Sequence, residues 1–327
     1  MKLLIILHHR FELWNAPDWF VARLREEFPF QLTNLTDYDR INDEISDAEV
    51  VISWSLRPEQ FLAAKKLRWI HSPAAAVHQL MFPELVESDV ILTNAREVHG
   101  PVVAEHVVAL LFALAKRIPA AVRLQQKHIW GQESMWREHP RPRELAGATL
   151  GLVGLGSIGR AVAKHAAALG MRVIAVRENP DKQTPEAVEQ TFAPPAIDEL
   201  LARSDFVVLA VPLTAETRGL IDAARLKRMK PDGYLINVGR GPLVDEAALA
   251  DALRRRQIAG AALDVFQKEP LPLESPLWDL ENLLITPHTA GLTENLWARH
   301  YRLFAENLRR YLAQQPLLAV VDKRRGY

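Results

Sequence analysis

Leu150-Gly151-Leu152-Val153-Gly154-Leu155-Gly156-Ser157-Ile158-Gly159 is the stretch on which the fold of this chain turns. An apolar run of strand length leads into G-x-G-x-x-G, and a segment with helical spacing, 158–169, follows at once. The spacing has a mechanical reason. Gly154 permits a tight turn, Gly156 lets backbone N–H groups approach a pyrophosphate, and Gly159 lets the helix pack closely on the strand. The helix N-terminus favours the anion. A glycine turn without a ligand is the plain alternative. The strand before, the helix after and a second strand at 171–177 favour a dinucleotide loop.

Working outward, strands are expected at 149–154, 171–177, 206–211, 234–238, 260–265 and 283–286, with helices at 158–169, 197–203, 223–229 and 245–256. Six strands alternating with helices match a doubly wound dinucleotide fold. The first hundred residues alternate in the same way, with strands at 2–7, 30–35, 49–54, 68–72 and 89–94 and helices at 18–28 and 58–66. The chain is therefore read as α/β, with two doubly wound parallel-sheet domains, Rossmann-like or flavodoxin-like. Between the two series lies one long apolar helix, 101–128, with Pro101 suited to its first turn. A polar, proline-rich excursion at 130–145 follows it. The chain closes with an amphipathic helix, 293–312, and a basic tail, 322–327.

Length and composition agree. A chain of 327 residues exceeds what one core usually supports, so two domains are expected. Hydrophobic residues at 49% and charged residues at 24% are ordinary globular values, which argues against disorder. Forty basic and forty acidic residues cancel, which argues against a nucleic-acid partner. The absence of cysteine excludes disulfides, thiolate zinc sites and cysteine nucleophiles. The opening Met1–Leu7 run stops at His8-His9-Arg10 and fits a buried strand better than a signal peptide. The longest uncharged apolar run, 107–115, is too short to span a membrane. A soluble, cytoplasmic protein is expected. His8 and His9 point to opposite faces of a strand, so no metal site is proposed.

The residue closing the second strand of the dinucleotide fold selects the cofactor. An acidic side chain there accepts hydrogen bonds from the ribose of NAD, whereas Arg177 stands at that place here. A guanidinium cannot accept, but it can fork onto a 2′-phosphate. NADP is therefore favoured; Glu178, one position on, keeps NAD open, and Lys182 is placed to assist the phosphate.

Three segments at downstream strand ends carry the chemistry: Ile236-Asn237-Val238-Gly239-Arg240-Gly241, Leu263-Asp264-Val265-Phe266-Gln267-Lys268-Glu269-Pro270 and Thr286-Pro287-His288-Thr289-Ala290-Gly291. With Gly154–Gly159 and Val211-Pro212-Leu213-Thr214 they stand in the order and approximate spacing of one family. Over essentially its whole length the chain resembles the D-isomer-specific 2-hydroxyacid dehydrogenases, which include glyoxylate/hydroxypyruvate reductases, phosphoglycerate dehydrogenases and formate dehydrogenase.

The resemblance implies roles residue by residue. Arg240 would bind the carboxylate and carbonyl of a small 2-keto or 2-hydroxy acid. His288 would protonate the carbonyl oxygen as hydride arrives, and Glu269 would orient His288 and favour its imidazolium form. Cofactor contacts would fall on Gly154, Leu155, Gly156, Ser157, Ile158 and Gly159; on Arg177, Val211, Pro212 and Thr217; and on Val238, Gly239, Arg240, Asp264, His288 and Gly291. An aspartate at a strand end also commonly caps a helix, so Asp264 keeps that second reading. Where the family has a glycine-containing carboxylate loop, this chain has Ser72-Pro73-Ala74-Ala75-Ala76-Val77, and substrate contacts are expected at Ala75 and Ala76. His78 replaces the acidic residue that usually follows. Trp54 and Trp297 are candidates to shape the pocket.

The resemblance also divides the chain. Residues 1–98 and 291–327 would form the substrate domain, with the cofactor domain, 99–290, inserted between them. Region 101–145 would be a dimerisation helix and arm, giving a homodimer. Glu105 in the long helix would be a buried, paired charge, and His106 a satisfied core histidine. A formate dehydrogenase would carry glutamine where Glu269 stands. A nucleotide-sensing binding protein related to this family is the rival from another class.

Overall fold

The computed structural model describes residues 1–326; the last residue of the expected tail, Tyr327, lies outside the described residues. The chain separates into two compact units: Met1–His99 together with the chain from Thr293 onward, and Gly100–Leu292.

The first unit is built on five parallel strands, β1 (Lys2–Ile6), β2 (Gln31–Leu35), β3 (Val50–Ser53), β4 (Trp69–Ser72) and β5 (Ile91–Asn94), in the order β2-β1-β3-β4-β5. That is the flavodoxin-like order. Helices α1 (Asp18–Glu27), α2 (Ile41–Glu44), α3 (Pro58–Ala63) and α4 (Pro83–Val86) join them, and a C-terminal helix, Leu296–Leu312, returns to the same sheet. Strands covered on both faces need apolar residues at every position, which explains the unbroken burial of β1 and β3. Alternation then sorts the faces. Leu3 and Ile5 pack with Phe20, Leu24, Trp69 and Phe304, while Leu4 and Ile6 pack with Val51, Ile70, Leu80 and Leu92.

The second unit has seven parallel strands: β6 (Thr149–Val153), β7 (Arg172–Val176), β8 (Gln190–Phe192), β9 (Phe206–Leu209), β10 (Tyr234–Asn237), β11 (Gly260–Leu263) and β12 (Leu283–Ile285). Their order, β12-β11-β10-β9-β6-β7-β8, is that of a doubly wound dinucleotide fold carrying a seventh strand. The strand beyond the six of that fold is β12, whereas β8 is the one sequence periodicity does not reveal, because it is three residues long, edge-placed and begins with the exposed Gln190.

The helices of this unit are α5 (Gly100–Ala115), α6 (Ile118–Gln126), α7 (Gln132–Arg137), α8 (Ser157–Ala168), α9 (Ile197–Arg203), α10 (Ala223–Leu226) and α11 (Glu246–Arg254). One face of the sheet packs on α5 and α8, the other on α9 and α11. The single helix expected over 101–128 is two helices, because Pro119 cannot extend a preceding helix and Arg117 turns left-handed at φ 56°. Glu105 is exposed rather than buried. It shares a stripe with Pro101, Ala109 and Phe112, on the side of α5 opposite the buried Val103, Val107, Leu110, Leu111 and Leu114. The 130–145 segment contains one short helix, α7, and its last part is tied down where Arg143 N–H donates to Ala115 O (2.9 Å). Among the described residues no helix is long and apolar enough to cross a membrane.

Candidate active site

In the second unit every strand is parallel, so all strand ends open on one edge, and ligands of such sheets bind beside that edge where the strand order reverses. The reversal lies between β6 and β9. The glycine loop leaves β6 at that point. Gly154 has φ 102°, and a Cβ there would meet the Ala210 carbonyl oxygen at 2.6 Å. A Cβ on Gly159 would overlap the Gly154 carbonyl oxygen, so close helix–strand packing requires its absence. Gly156 is the N-cap of α8; no side chain caps it, and a Cβ placed on it meets nothing within 4 Å. An uncapped helix N-terminus under open space fits the pyrophosphate of a dinucleotide. Leu155, Ser157 and Ile158 supply the rest of that backbone.

Arg177 follows β7 directly. Its guanidinium donates to the carbonyls of Pro180 (3.1 Å) and Gln183 (3.3 Å), while its Nε has no protein partner. The charge is thus held beside the strand end by its own loop. Past β9, Val211 and Pro212 open a loop that Thr217 closes. The Thr217 hydroxyl donates to Pro212 O (2.7 Å) and accepts from Thr214 N–H (2.8 Å).

Arg240, Glu269 and His288 follow three successive strands, β10, β11 and β12. Asn237 ends β10 fully buried. Its amide accepts from Gly239 N–H (3.0 Å) and donates to Arg240 O (2.9 Å), so one side chain closes the turn that presents Arg240. The Arg240 guanidinium donates to Gly239 O (2.7 Å). Burial pulls it below the ordinary arginine range, and the nearby Glu269 charge opposes that. Gly241 carries the turn against the next one: a Cβ there would overlap the backbone of Phe266 and Gln267.

Glu269 divides its carboxylate. Oε1 accepts from Phe266 N–H (2.9 Å), and Oε2 meets Nδ1 of His288 at 2.6 Å. The network therefore puts a hydrogen on Nδ1 and leaves Nε2 of the half-exposed ring free to face a ligand. His288 itself is left-handed, with φ 54°. Asp264, 1% exposed, is neither a helix cap nor a free carboxylate. It accepts from the Thr286 hydroxyl (2.6 Å), Thr289 N–H (2.9 Å) and Ala290 N–H (3.1 Å), so it shapes the turn that carries His288 and runs on to Gly291. Val238 and Gly239 are buried between these loops.

Asn237 and Thr286 are absent from the sequence-level assignment. Asn237 was open to discovery, since an asparagine two residues before a glycine at a strand end is a common backbone-bonding turn. Thr286 offered no such signal.

Ala75 and Ala76 belong to the first unit. Their loop is held by Asn94, whose Nδ2 donates to Ala75 O (2.7 Å), and by Ala95 N–H on Ala74 O (3.1 Å). The N–H groups of Ala75 and Ala76 have no protein acceptor, and neither residue has a positive φ, so alanine serves where glycine was expected. Trp54 is half-buried, edge-on to Trp14, and Trp297 is core.

An imidazole backed by a carboxylate, one nitrogen open and a desolvated guanidinium close by, can exchange a proton with the oxygen of an anionic substrate. Comparison with known proteins points to one family. Residues 108–290 match the model of the D-isomer specific 2-hydroxyacid dehydrogenase NAD-binding domain. A glyoxylate reductase of Korarchaeum cryptofilum is 36% identical over 274 residues, 82% of this chain and 81% of that protein. A glyoxylate reductase of Thermofilum pendens is 36% identical over 314 residues, 94% of this chain and 87% of that protein. The crystal structure of an NADPH-dependent glyoxylate/hydroxypyruvate reductase from Sinorhizobium meliloti, in complex with NADP and sulfate, is 30% identical, with a TM-score of 0.83 covering 100% of both chains.

Proposed function

The chain belongs to the D-isomer specific 2-hydroxyacid dehydrogenase family, an NAD(P)-dependent group acting on CH–OH donors, and on that premise we propose that it reduces glyoxylate, hydroxypyruvate or a related small 2-keto acid with NADPH. The observation that carries this reading is the 2.6 Å contact between Glu269 Oε2 and His288 Nδ1, on the strand next to the one that presents Arg240.

The reduced nicotinamide, when bound, supplies hydride to C2 of the substrate. Arg240 anchors the carboxylate and polarises the carbonyl with its planar fork. His288 gives the Nε2 proton to the carbonyl oxygen as it becomes an alkoxide, and Glu269 stabilises the imidazolium beforehand. In reverse, neutral His288 takes the hydroxyl proton at Nε2 while Nδ1 keeps its hydrogen toward Glu269. The Gly154–Gly159 loop would hold the pyrophosphate. Asp264 contributes by holding the His288 turn. The N–H groups of Ala75 and Ala76, which have no protein acceptor, suit a carboxylate, which gives the first unit a part in substrate binding.

Arg177, in place of an acidic residue, supports NADPH over NADH, and the Sinorhizobium meliloti reductase is itself described as NADPH-dependent. A homodimer is supported by the apolar surface of the 101–145 region. There α6 buries no residue of its own, and Trp130 and Trp136 are 90% and 59% exposed.

The test is NADPH consumption by the purified protein with a panel of 2-keto acids, repeated with NADH. We expect turnover with glyoxylate or hydroxypyruvate, a preference for NADPH that Arg177→Ala reduces, and a loss of about 10³-fold in kcat for His288→Ala with cofactor affinity retained. Tight NADPH binding with no turnover on any 2-keto acid would refute the reading in favour of a sensor.

A further inference from the structure

His106 lies in the second turn of α5 and has no part in the proton transfer described above, yet it touches the machinery behind it. Its Nε2 is 3.1 Å from Thr286 Oγ1 and 3.7 Å from Asp264 Oδ1. Thr286 Oγ1 is in turn 2.6 Å from Asp264 Oδ1. A carboxylate only accepts, so the single Thr286 hydroxyl hydrogen is committed to Asp264. Thr286 Oγ1 can then meet His106 only as an acceptor, which puts a hydrogen on His106 Nε2 and fixes its tautomer. Burial holds His106 below the ordinary imidazole range, with the Asp264 charge opposing, so the ring is neutral.

What hangs on this chain is the conformation of His288. A non-glycine residue at φ 54° is held against its own preference and persists only where surrounding bonds over-determine it. Most of those bonds run through one residue. The His288 N–H is shared between Asp264 O (2.9 Å) and Thr286 O (3.0 Å), and the Asp264 carboxylate collects Thr289 N–H, Ala290 N–H and the Thr286 hydroxyl. Without a donor at His106, the Thr286 hydroxyl is free to rotate to another staggered well and leave Asp264.

We propose that His106 is a positioning residue for the reduction: its Nε2–H locks the Thr286 hydroxyl onto Asp264, and Asp264 in turn holds the left-handed turn that aims the His288 ring. The proposal rests on His288 being the proton donor. The attachment of α5 does not need this polar contact, because Val103, Val107, Leu110, Leu111 and Leu114 pack it into the core. Loss of the bond should therefore register in catalysis rather than in folding.

The experiment is a double-mutant cycle in the full chain, with NADPH and glyoxylate as probes. His106→Ala and Thr286→Val should each lower kcat by about 10- to 50-fold, since displacement of a reacting group by about 1 Å costs up to 10²-fold. NADPH affinity and Tm should stay close to wild type. The double variant should be no worse than either single variant, as expected of two links in one chain. His106→Gln, whose amide N–H replaces the Nε2 donor, should restore most of kcat. Multiplicative effects, full activity in His106→Ala, or a His106→Gln variant as impaired as alanine would overturn the proposal. If wild type turns over no 2-keto acid, the functional reading fails by itself. The His106 arm is then decided by ¹⁵N NMR of the ring. A neutral Nε2–H tautomer that Thr286→Val abolishes supports the network, and an Nδ1–H tautomer refutes it.

Discussion

Acidification from about pH 8 to about pH 5 should weaken the first unit by about 2 kcal/mol through the buried His71 imidazole alone, and the buried His300 adds a loss of the same sign. His71, in β4, is fully buried; Nδ1 meets Thr93 Oγ1 at 2.8 Å and Nε2 has no partner. His300, on the C-terminal helix, is 1% exposed and neither of its ring nitrogens has a partner. Desolvation takes His71 down to about 3. It takes His300 well below the ordinary value too, with His99 and His71 adding like-charge repulsion. In the unfolded chain both titrate near 6.5. Because the folded values lie below the unfolded one, the unfolded state binds more protons in the window between them. The stabilisation is complete above about pH 6.5 and is lost as the pH falls below it. At about pH 5 the unfolded His71 gains about 2 kcal/mol from protonation that its folded counterpart forgoes, a sizeable part of a typical domain's stability, and His300 acts in the same direction. Native-state hydrogen exchange in β1, β3 and β4, corrected for intrinsic rates, reads this unit directly. Its stability should change with a slope above about 1 kcal/mol per pH unit between about pH 6 and about pH 5. His300→Leu removes one imidazole and breaks no hydrogen bond, so it should reduce that slope and stabilise the unit in acid. A slope unaffected by His300→Leu, or one below about 1 kcal/mol per pH unit in wild type, would refute the reasoning.

Two further outcomes follow from the active-site geometry. Glu269→Gln keeps an acceptor for His288 Nδ1 but removes the charge; since a charge-assisted bond is roughly twice as strong as a neutral one, kcat for reduction should fall about 10-fold with NADPH affinity unchanged. Undiminished kcat would contradict the role of Glu269. Gly241→Ala forces a methyl into the Phe266–Gln267 backbone and must separate the Arg240 and Glu269 turns. Overpacking predicts a stability loss of about 1–3 kcal/mol by urea denaturation, together with a lower kcat/KM, and a fully active, equally stable variant would show that the turns are not in contact.

Local chemistry made much of this protein legible. Apolar runs of strand length between helical stretches require a parallel sheet covered on both sides, and β1, β3, β4 and β9 lie within one or two residues of where the periodicity puts them. The glycine loop is equally local, because a positive φ at Gly154 and the clearance at Gly159 depend on a few neighbouring atoms. Even Asn237 was within reach, its hydrogen bonds spanning only three residues.

The rest depended on which strand lies beside which. Arg240, Glu269 and His288 are 48 positions apart at their extremes, and only the order β10-β11-β12 makes them neighbours. Asp264 faces inward to tie the His288 turn, and His106 reaches Thr286 across 180 positions. The edge strand β8 and the break between α5 and α6 also escaped the sequence, the first for want of apolar residues, the second because the helical spacing runs on past Pro119. Periodicity and steric allowance are properties of adjacent residues, so a sequence states them outright. Proximity between distant segments is a property of the packed whole, and only the folded chain decides it.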